Sequence, residues 1–384
     1  ETASRVTCRG LSGRLMAMAM MHLATAAAQP TAWIALRNKF ALTVWPDLGG
    51  KLPTPRAPLS IVERPAGFED LTRLTWNISC KHFWLNSSVY RSVRTRGNRT
   101  GTVIIHHHGH TKGCDRTLPD NTCSTNRTNL YDFYNLTDFY HRELGSDAFF
   151  MYMPLYGPNS QQGLPESHQW FEQWQEKGTP TIKFFLEPVV LTISYALSLG
   201  YDNVVMIGKS GGGWTTTLMA ALDPRISFSI PIAGSIPLNF HHKSWDFEQK
   251  PRPKTDKLWY LNVLNYTQLY ALATIASGGA RSRTSLQLLH EDDPCCFFGR
   301  WRHTGILAYD AAISAMLPSG GPGVFSTAIT DWNVHAVCQM DRVVIRTAKE
   351  QLDAGEPHLD HLPCDILRAR ELKCPFSPPK ATLK

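Results

Sequence analysis

No apolar run in the sequence is long enough to cross a bilayer as a helix, so no stable membrane anchor is expected. Internal repeats, heptad arrays and low-complexity blocks are also missing, which excludes solenoids, coiled coils and fibrous chains. No block of like charge stands out. The net charge of +7 is spread over short Lys and Arg clusters without a basic stripe or interleaved aromatics, so nucleic acid is not an expected partner. Charged residues make up only 18% against 43% hydrophobic ones, which excludes a disordered chain.

What is present fits an exported globular protein. At 384 residues the chain has the length of two average domains, but α/β folds reach this size as one domain carrying insertions. Arg14, the short apolar run Leu15 to Met21 and the small residues Ala26, Ala27 and Ala28 before Gln29-Pro30 have the layout of a secretory signal, so residues 1–28 are expected to be removed. Six Asn-x-Ser/Thr sequons, at Asn77, Asn86, Asn98, Asn126, Asn135 and Asn265, are expected to carry N-glycans. Of nine cysteines, Cys8 leaves with the signal. The remaining Cys80, Cys114, Cys123, Cys295, Cys296, Cys338, Cys364 and Cys374 form an even set suited to disulfides, with Cys114 to Cys123 and Cys364 to Cys374 as the local candidates. Adjacent Cys295 and Cys296 argue against a zinc site, because one ion rarely takes neighbouring ligands.

Residues 29–384 parse as one domain. Short apolar runs alternate with longer helical patterns, which predicts an α/β fold whose mainly parallel central sheet is flanked by helices. Residues 71–78 and 88–94 suit leading antiparallel strands. Strands are expected at 102–105, 148–153, 203–207, 226–232, 285–289 and 324–329, and helices at 129–144 and 181–199, each stopped by a glycine. Residues 235–280, rich in Trp and Tyr, read as an inserted cap or lid.

The chemistry centres on Gly208-Lys209-Ser210-Gly211-Gly212. A serine hydroxyl is a weak nucleophile until a base takes its proton, so it must project where both base and substrate reach it. A sharp turn from strand to helix does this, and it brings the residues two before and two after the serine into contact, which demands Gly208 and Gly212. The apolar strand before Gly208 and the helix-compatible segment from Trp214 to Leu222 supply that setting. Ser210 is therefore the expected nucleophile, and the Gly211 N–H an oxyanion donor. A second donor is expected from the loop after an earlier strand, and His106-His107-His108-Gly109-His110 lies there, pointing to the His110 backbone. Alternation along a strand leaves His106 and His108 able to share an ion, a rival reading that predicts a metal-dependent hydrolase. Asp293, before Pro294, is the candidate acid, with Asp292 as competitor. His335, in Thr330-Asp331-Trp332-Asn333-Val334-His335, is the candidate base, with His303 and His290 as replacements.

On these residues the chain resembles the α/β-hydrolase superfamily over about residues 100–345. HHHGH at the oxyanion strand, GKSGGGW at the elbow, DPRISFSIPIAG after it, an Asp-Pro pair and a late histidine carry the likeness. The DPRI and PIAG segment is similar to acetyl-xylan-esterase, dienelactone-hydrolase-like and prolyl-oligopeptidase-like members. The order Ser210, Asp293, His335 is the order that this architecture uses. The resemblance implies a secreted serine hydrolase cleaving carboxylic esters without a metal or other cofactor, its partner a small-molecule or polymer ester. A serine peptidase and a catalytically silent binding protein are the alternatives.

Overall fold

The apolar runs become a nine-stranded sheet. The computed structural model describes residues 30–65, 70–94, 101–110, 135–161, 163–238, 246–276, 283–290, 293, 302–317, 323–330 and 339–353. The strands are β1 (Ser60–Glu63), β2 (Leu71–Cys80), β3 (Phe83–Ser92), β4 (Thr102–His107), β5 (Asp147–Met151), β6 (Asn203–Lys209), β7 (Ile226–Ile232), β8 (Thr284–His290) and β9 (Val324–Thr330). Their spatial order is β1-β2-β3-β5-β4-β6-β7-β8-β9. β1, β2, β3 and β5 pair antiparallel in turn, and from β5 through β4 to β9 every pair is parallel. Val103, Ile104 and Ile105 in β4, and Val204, Met206 and Ile207 in β6, are fully buried. Continuous apolar runs of this kind belong to strands covered on both faces.

The helices are α1 (Pro30–Val44), α2 (Gln169–Glu176), α3 (Lys183–Ser198), α4 (Gly211–Leu222), α5 (Tyr266–Thr274), α6 (Arg302–Met316) and α7 (Gln339–Asp353). α3 stops before Gly200, which takes φ +89°, as expected of a glycine at a helix end. The helix expected over 129–144 is described from residue 135, and its last turns, Phe139–Glu143, are π-helical. α4 is buried along its whole length, packed by α1, α3 and α5, with α6 beyond α5. Among the described residues, no helix is long and apolar enough to cross a membrane.

The structure bears on two further expectations. Of the 235–280 stretch, residues 235–238 and 246–276 are described. Trp259, Tyr260, Tyr266 and Tyr270 are buried there, and α5 packs on α4 and β8. Cys80 is a free thiol buried at the end of β2. It pairs in register with Phe83 across the two-residue turn Lys81-His82, and burial pushes its pKa up. Cys80 therefore drops out of the expected disulfide set, whose other seven members lie outside the described residues.

Candidate active site

The site grows from the carboxyl ends of the parallel strands. Register pairs His107 with Gly208, Lys209 with Ile232, Ile232 with Leu288 and His290 with Thr330, so the ends of β4, β6, β7, β8 and β9 share one edge of the sheet. Ligands of open α/β sheets bind at this edge. The chain leaves β6 through Ser210 and turns at once into α4. Ser210 takes φ 57° and ψ −128°, a conformation sparsely populated by a residue with a Cβ. Its N–H donates to the Ile232 carbonyl at 2.9 Å, its carbonyl accepts from Trp214 N–H at 3.0 Å, and its side chain caps nothing.

Glycines make the turn possible. A Cβ on Gly208 would stand 2.2 Å from the Gly212 carbonyl oxygen, and one on Gly212 would stand 1.9 Å from that of His107. The elbow thus packs backbone against backbone, as the sequence pattern requires. Two further glycines do the same work without belonging to that pattern. A Cβ on Gly109 would lie 2.7 Å from the Ser210 Cβ, and one on Gly234 would lie 2.3 Å from the Gly213 carbonyl carbon. Gly109 sits inside HHHGH, and Gly234 closes PIAG, so each was in view as part of a motif but not as a neighbour of the elbow. Trp214 packs beneath the turn, fully buried, its Nε1 donating to the Tyr260 hydroxyl at 2.9 Å.

Gly211 opens α4 with its N–H at the positive end of the helix dipole, where an oxyanion is stabilised. The structure brings His110 to the same place. The contact runs through the ring: a Cβ on Gly211 would lie 3.0 Å from His110 Cε1. The other histidines of the run face elsewhere. His106 is buried with Nδ1 2.7 Å from the Tyr140 hydroxyl, and its ring lies 4.5 Å from that of His108. His107 Nδ1 donates to the His108 carbonyl at 2.8 Å. Burial holds the His106 imidazole well below its ordinary pKa and brings His107 down to about 4, so both are neutral at physiological pH.

Asp293 follows β8 by three residues and is fully buried. His335 and Asp292 lie outside the described residues. β6 and β8 are separated by β7, so the carboxyl ends of these two strands lie roughly two strand spacings, about 10 Å, apart along the edge. His290 is committed elsewhere: its Nε2 lies 3.2 Å from both carboxylate oxygens of Asp341 in α7, and both side chains are buried. His303 falls in α6.

One cluster was not legible in the sequence. His110 Nε2, His168 Nδ1 and the Glu248 carboxylate converge beside Gly211, from the loop after β4, the residue before α2 and a short turn at Phe247–Gln249. Burial alone raises the Glu248 carboxyl pKa, but the two facing imidazoles outweigh it and hold the group below the ordinary carboxylate value. A groove of about 620 Å³ between α2 and residues 250–258 is lined by ion-paired Glu172 and Arg252 and contains none of the expected catalytic residues.

Several solved structures are similar to this chain at low identity. The acetyl xylan esterase from Paenibacillus sp. R4 is 13% identical, covers 83% of this chain and 93% of its own, and superposes with a TM-score of 0.49. Acetyl xylan esterase 1 from Thermoanaerobacterium sp. JW/SL YS485 is 10% identical over 85% of this chain and 95% of its own, with a TM-score of 0.48. Est1E from Butyrivibrio proteoclasticus is 12% identical over 73% and 98%, with a TM-score of 0.41. No protein-family model and no curated protein matches the chain. The strand order carries a single exchange of β4 and β5, and Ser210 stands in a sharp turn at the end of β6.

Proposed function

We propose that the chain is a secreted serine hydrolase that cleaves carboxylic esters through Ser210, His335 and Asp293. The observation that carries this reading is Ser210 itself: a strained residue between a buried strand and a buried helix, with a bare helix N-terminus behind it. Such strain persists only where the surrounding structure enforces it, and it leaves the hydroxyl without a structural partner in the helix cap. In the proposed reaction His335 takes the Ser210 proton and the Ser210 oxygen attacks the ester carbonyl. The N–H groups of Gly211 and His110 bind the oxyanion, and His335 then protonates the leaving alcohol. Water, activated by the same histidine, releases the acyl group and restores Ser210. Asp293, buried beyond β8, holds the His335 tautomer and stabilises the imidazolium.

Export belongs to the same proposal. Asn86 and Asn265 are exposed, and Asn77 and Asn135 are half-buried, so these four sequons lie within reach of solvent on the folded chain. Asn98 and Asn126 fall outside the described residues. Glycosidase digestion of the secreted product should lower its mass on a denaturing gel.

A fluorophosphonate probe tests the nucleophile. Labelling of the folded protein that disappears in Ser210→Ala supports the reading, with hydrolysis of p-nitrophenyl acetate falling by roughly 10⁴-fold or more in kcat. A folded chain that resists the probe and hydrolyses no ester is a silent hydrolase fold. A panel graded by acyl length, run beside peptide and acetylated-sugar substrates, then sorts esterase from peptidase.

A further inference from the structure

The three side chains beside Gly211 present a hydrogen-bonding problem. His168 Nε2 lies 2.9 Å from the Pro154 carbonyl, to which it donates, so in a neutral ring Nδ1 carries a lone pair. That lone pair faces Glu248 Oε2 at 2.9 Å and His110 Nε2 at 3.1 Å. His110 Nε2 in turn stands 3.1 Å from Glu248 Oε1, yet that oxygen is buried without a hydrogen bond of acceptable geometry. With His168 neutral, a proton on His110 Nε2 serves one of these contacts and leaves the His168 Nδ1 lone pair facing Glu248 Oε2. His168 is 4% exposed, Glu248 0% and His110 19%, so water does little to relieve them. A cation at the centre satisfies all three at once.

We propose that His110 Nε2, His168 Nδ1 and the Glu248 carboxylate bind a divalent first-row metal ion of the zinc class, which locks the oxyanion loop onto the elbow. Two imidazoles and one carboxylate are a common donor set for such an ion, and a tetrahedral site with bonds near 2.0–2.1 Å separates its ligand atoms by about 3.3 Å. The contacts found, 2.9 to 3.1 Å, use both carboxylate oxygens of Glu248, and one ligand atom from each of the three residues keeps the set within 4.8 Å of one another. The outer contacts are those of a metal site as well. His168 donates its other ring nitrogen to a backbone carbonyl, which fixes the tautomer that a metal requires. Asp246 Oδ2 stands 4.0 Å from His110 Nδ1. The turn bearing Glu248 is held from both sides, by Tyr260 Oη donating to the Glu248 carbonyl at 2.9 Å and by Gln249 Nε2 donating to the Gly234 carbonyl at 3.1 Å. The ligands come from three segments far apart in sequence, so the ion cross-links them behind Gly211. Resting on the ester-hydrolase reading above, His110 is a positioning residue in this role, its ring beside Gly211 fixing the loop proposed to supply an oxyanion donor.

Metal content decides the matter independently of catalysis. The full chain, secreted from a eukaryotic host and purified without a histidine tag, should carry about one zinc per chain by elemental analysis, and Ser210→Ala should carry the same. After removal of the metal with dipicolinate, Co²⁺ should bind one to one with visible ligand-field bands. His168→Ala and the near-isosteric Glu248→Gln should lose the bands, and His106→Ala should keep them. Folded protein holding less than about a tenth of an equivalent of any transition metal and giving no Co²⁺ spectrum overturns the proposal, and so does a Glu248→Gln variant that retains full metal content. The metal-free reading then stands, with an imidazolium of His168 bridging Pro154 and Glu248.

Discussion

The two ends of α4 are built by opposite means. Its N-terminus is made of Ser210 and three glycines, with no side-chain cap; neighbouring backbone fills the space that side chains would take at Gly212 and Gly213, and the Met153 and His110 side chains fill it at Gly211. Its C-terminus is saturated by two buried arginines. Arg37 Nε donates to the Ala221 carbonyl at 2.9 Å, and the Arg283 guanidinium donates to the carbonyls of Ala220 and Asp223. Both also reach the carbonyls of Leu272 and Ile275 at the end of α5. A helix terminus leaves backbone groups that must find partners. At one end buried side chains supply partners for terminal carbonyls, which is stability; at the other no side chain caps the helix, which leaves donors for a ligand.

Breaking the bare end should cost most. Gly212→Ala drives a methyl into the His107 carbonyl, a backbone atom that cannot swing aside. Stability should fall by about 3 kcal/mol or more, and esterase activity of the surviving folded fraction should fall with it, because β4 and the elbow must separate. Urea unfolding beside p-nitrophenyl acetate kinetics reads both.

Breaking the saturated end should separate the two properties. Arg283→Met removes one donor from each of five carbonyls, those of Ile226, Leu272, Ile275, Ala220 and Asp223, although Arg37 still reaches Leu272 and Ile275 and the Ile226 N–H still reaches Asp223. Buried acceptors left unpaired cost about 1–3 kcal/mol each before relaxation, so a net loss of roughly 3–5 kcal/mol is expected in urea midpoints. The kcat/KM of the folded enzyme should stay within about threefold of wild type. A large loss in kcat/KM with stability intact would contradict the division of labour between the ends.

Acid sharpens the contrast. His107 packs its carbonyl on Gly212 and titrates near 4 when folded, against an ordinary 6.5. Above pH 6.5 neither state holds the proton. Between 6.5 and 4 the unfolded chain takes it and the folded chain does not, so stability falls, by about 3 kcal/mol from this residue alone, and levels off below pH 4. His106 acts in the same direction. Unfolding midpoints at pH 7 and pH 4.5 should differ accordingly, and the difference should shrink in His107→Gln.

The smallest effect belongs to an ordinary helix start. α5 begins at Asn265, whose side-chain oxygen accepts from Gln268 N–H at 2.9 Å while the Gln268 side chain accepts from Asn265 N–H, a full capping box. Asn265→Ala should cost about 1 kcal/mol, whereas Asn265→Asp keeps the cap and removes the sequon, so thermal unfolding of the pair separates cap from glycan. A helix start that the protein needs only for stability is capped; the one at Ser210 is not.

The sequence carries some of this plainly. β4 and β6 to β9 are legible because strands buried on both faces must be apolar throughout and must end where the chain turns. The elbow is legible because sterics tie glycines to the serine at fixed spacing. α1 and α5 are not, since their roles rest on partners distant in the chain: Arg37 reaches α4 and α5 across 184 and more residues. The histidine run misled for a related reason. Alternation along β4 does place His106 and His108 together, but His106 turns to Tyr140, and the convergence forms instead at His110, whose partners lie 58 and 138 residues on, at His168 and Glu248. Disulfide parity failed at Cys80 because counting residues says nothing of where a thiol is buried.

The glycines around Ser210 also constrain how such a protein can change. At Gly208, Gly212 and Gly234 the obstructing atoms include main-chain carbonyls and nitrogens, so no second substitution elsewhere can make room. Descendants of this chain are free to vary Lys209, which leaves the strand half-exposed, while its glycine neighbours stay fixed. The elbow is therefore a point where drift stops, and the variation that tunes substrate choice has to accumulate in the segments around it.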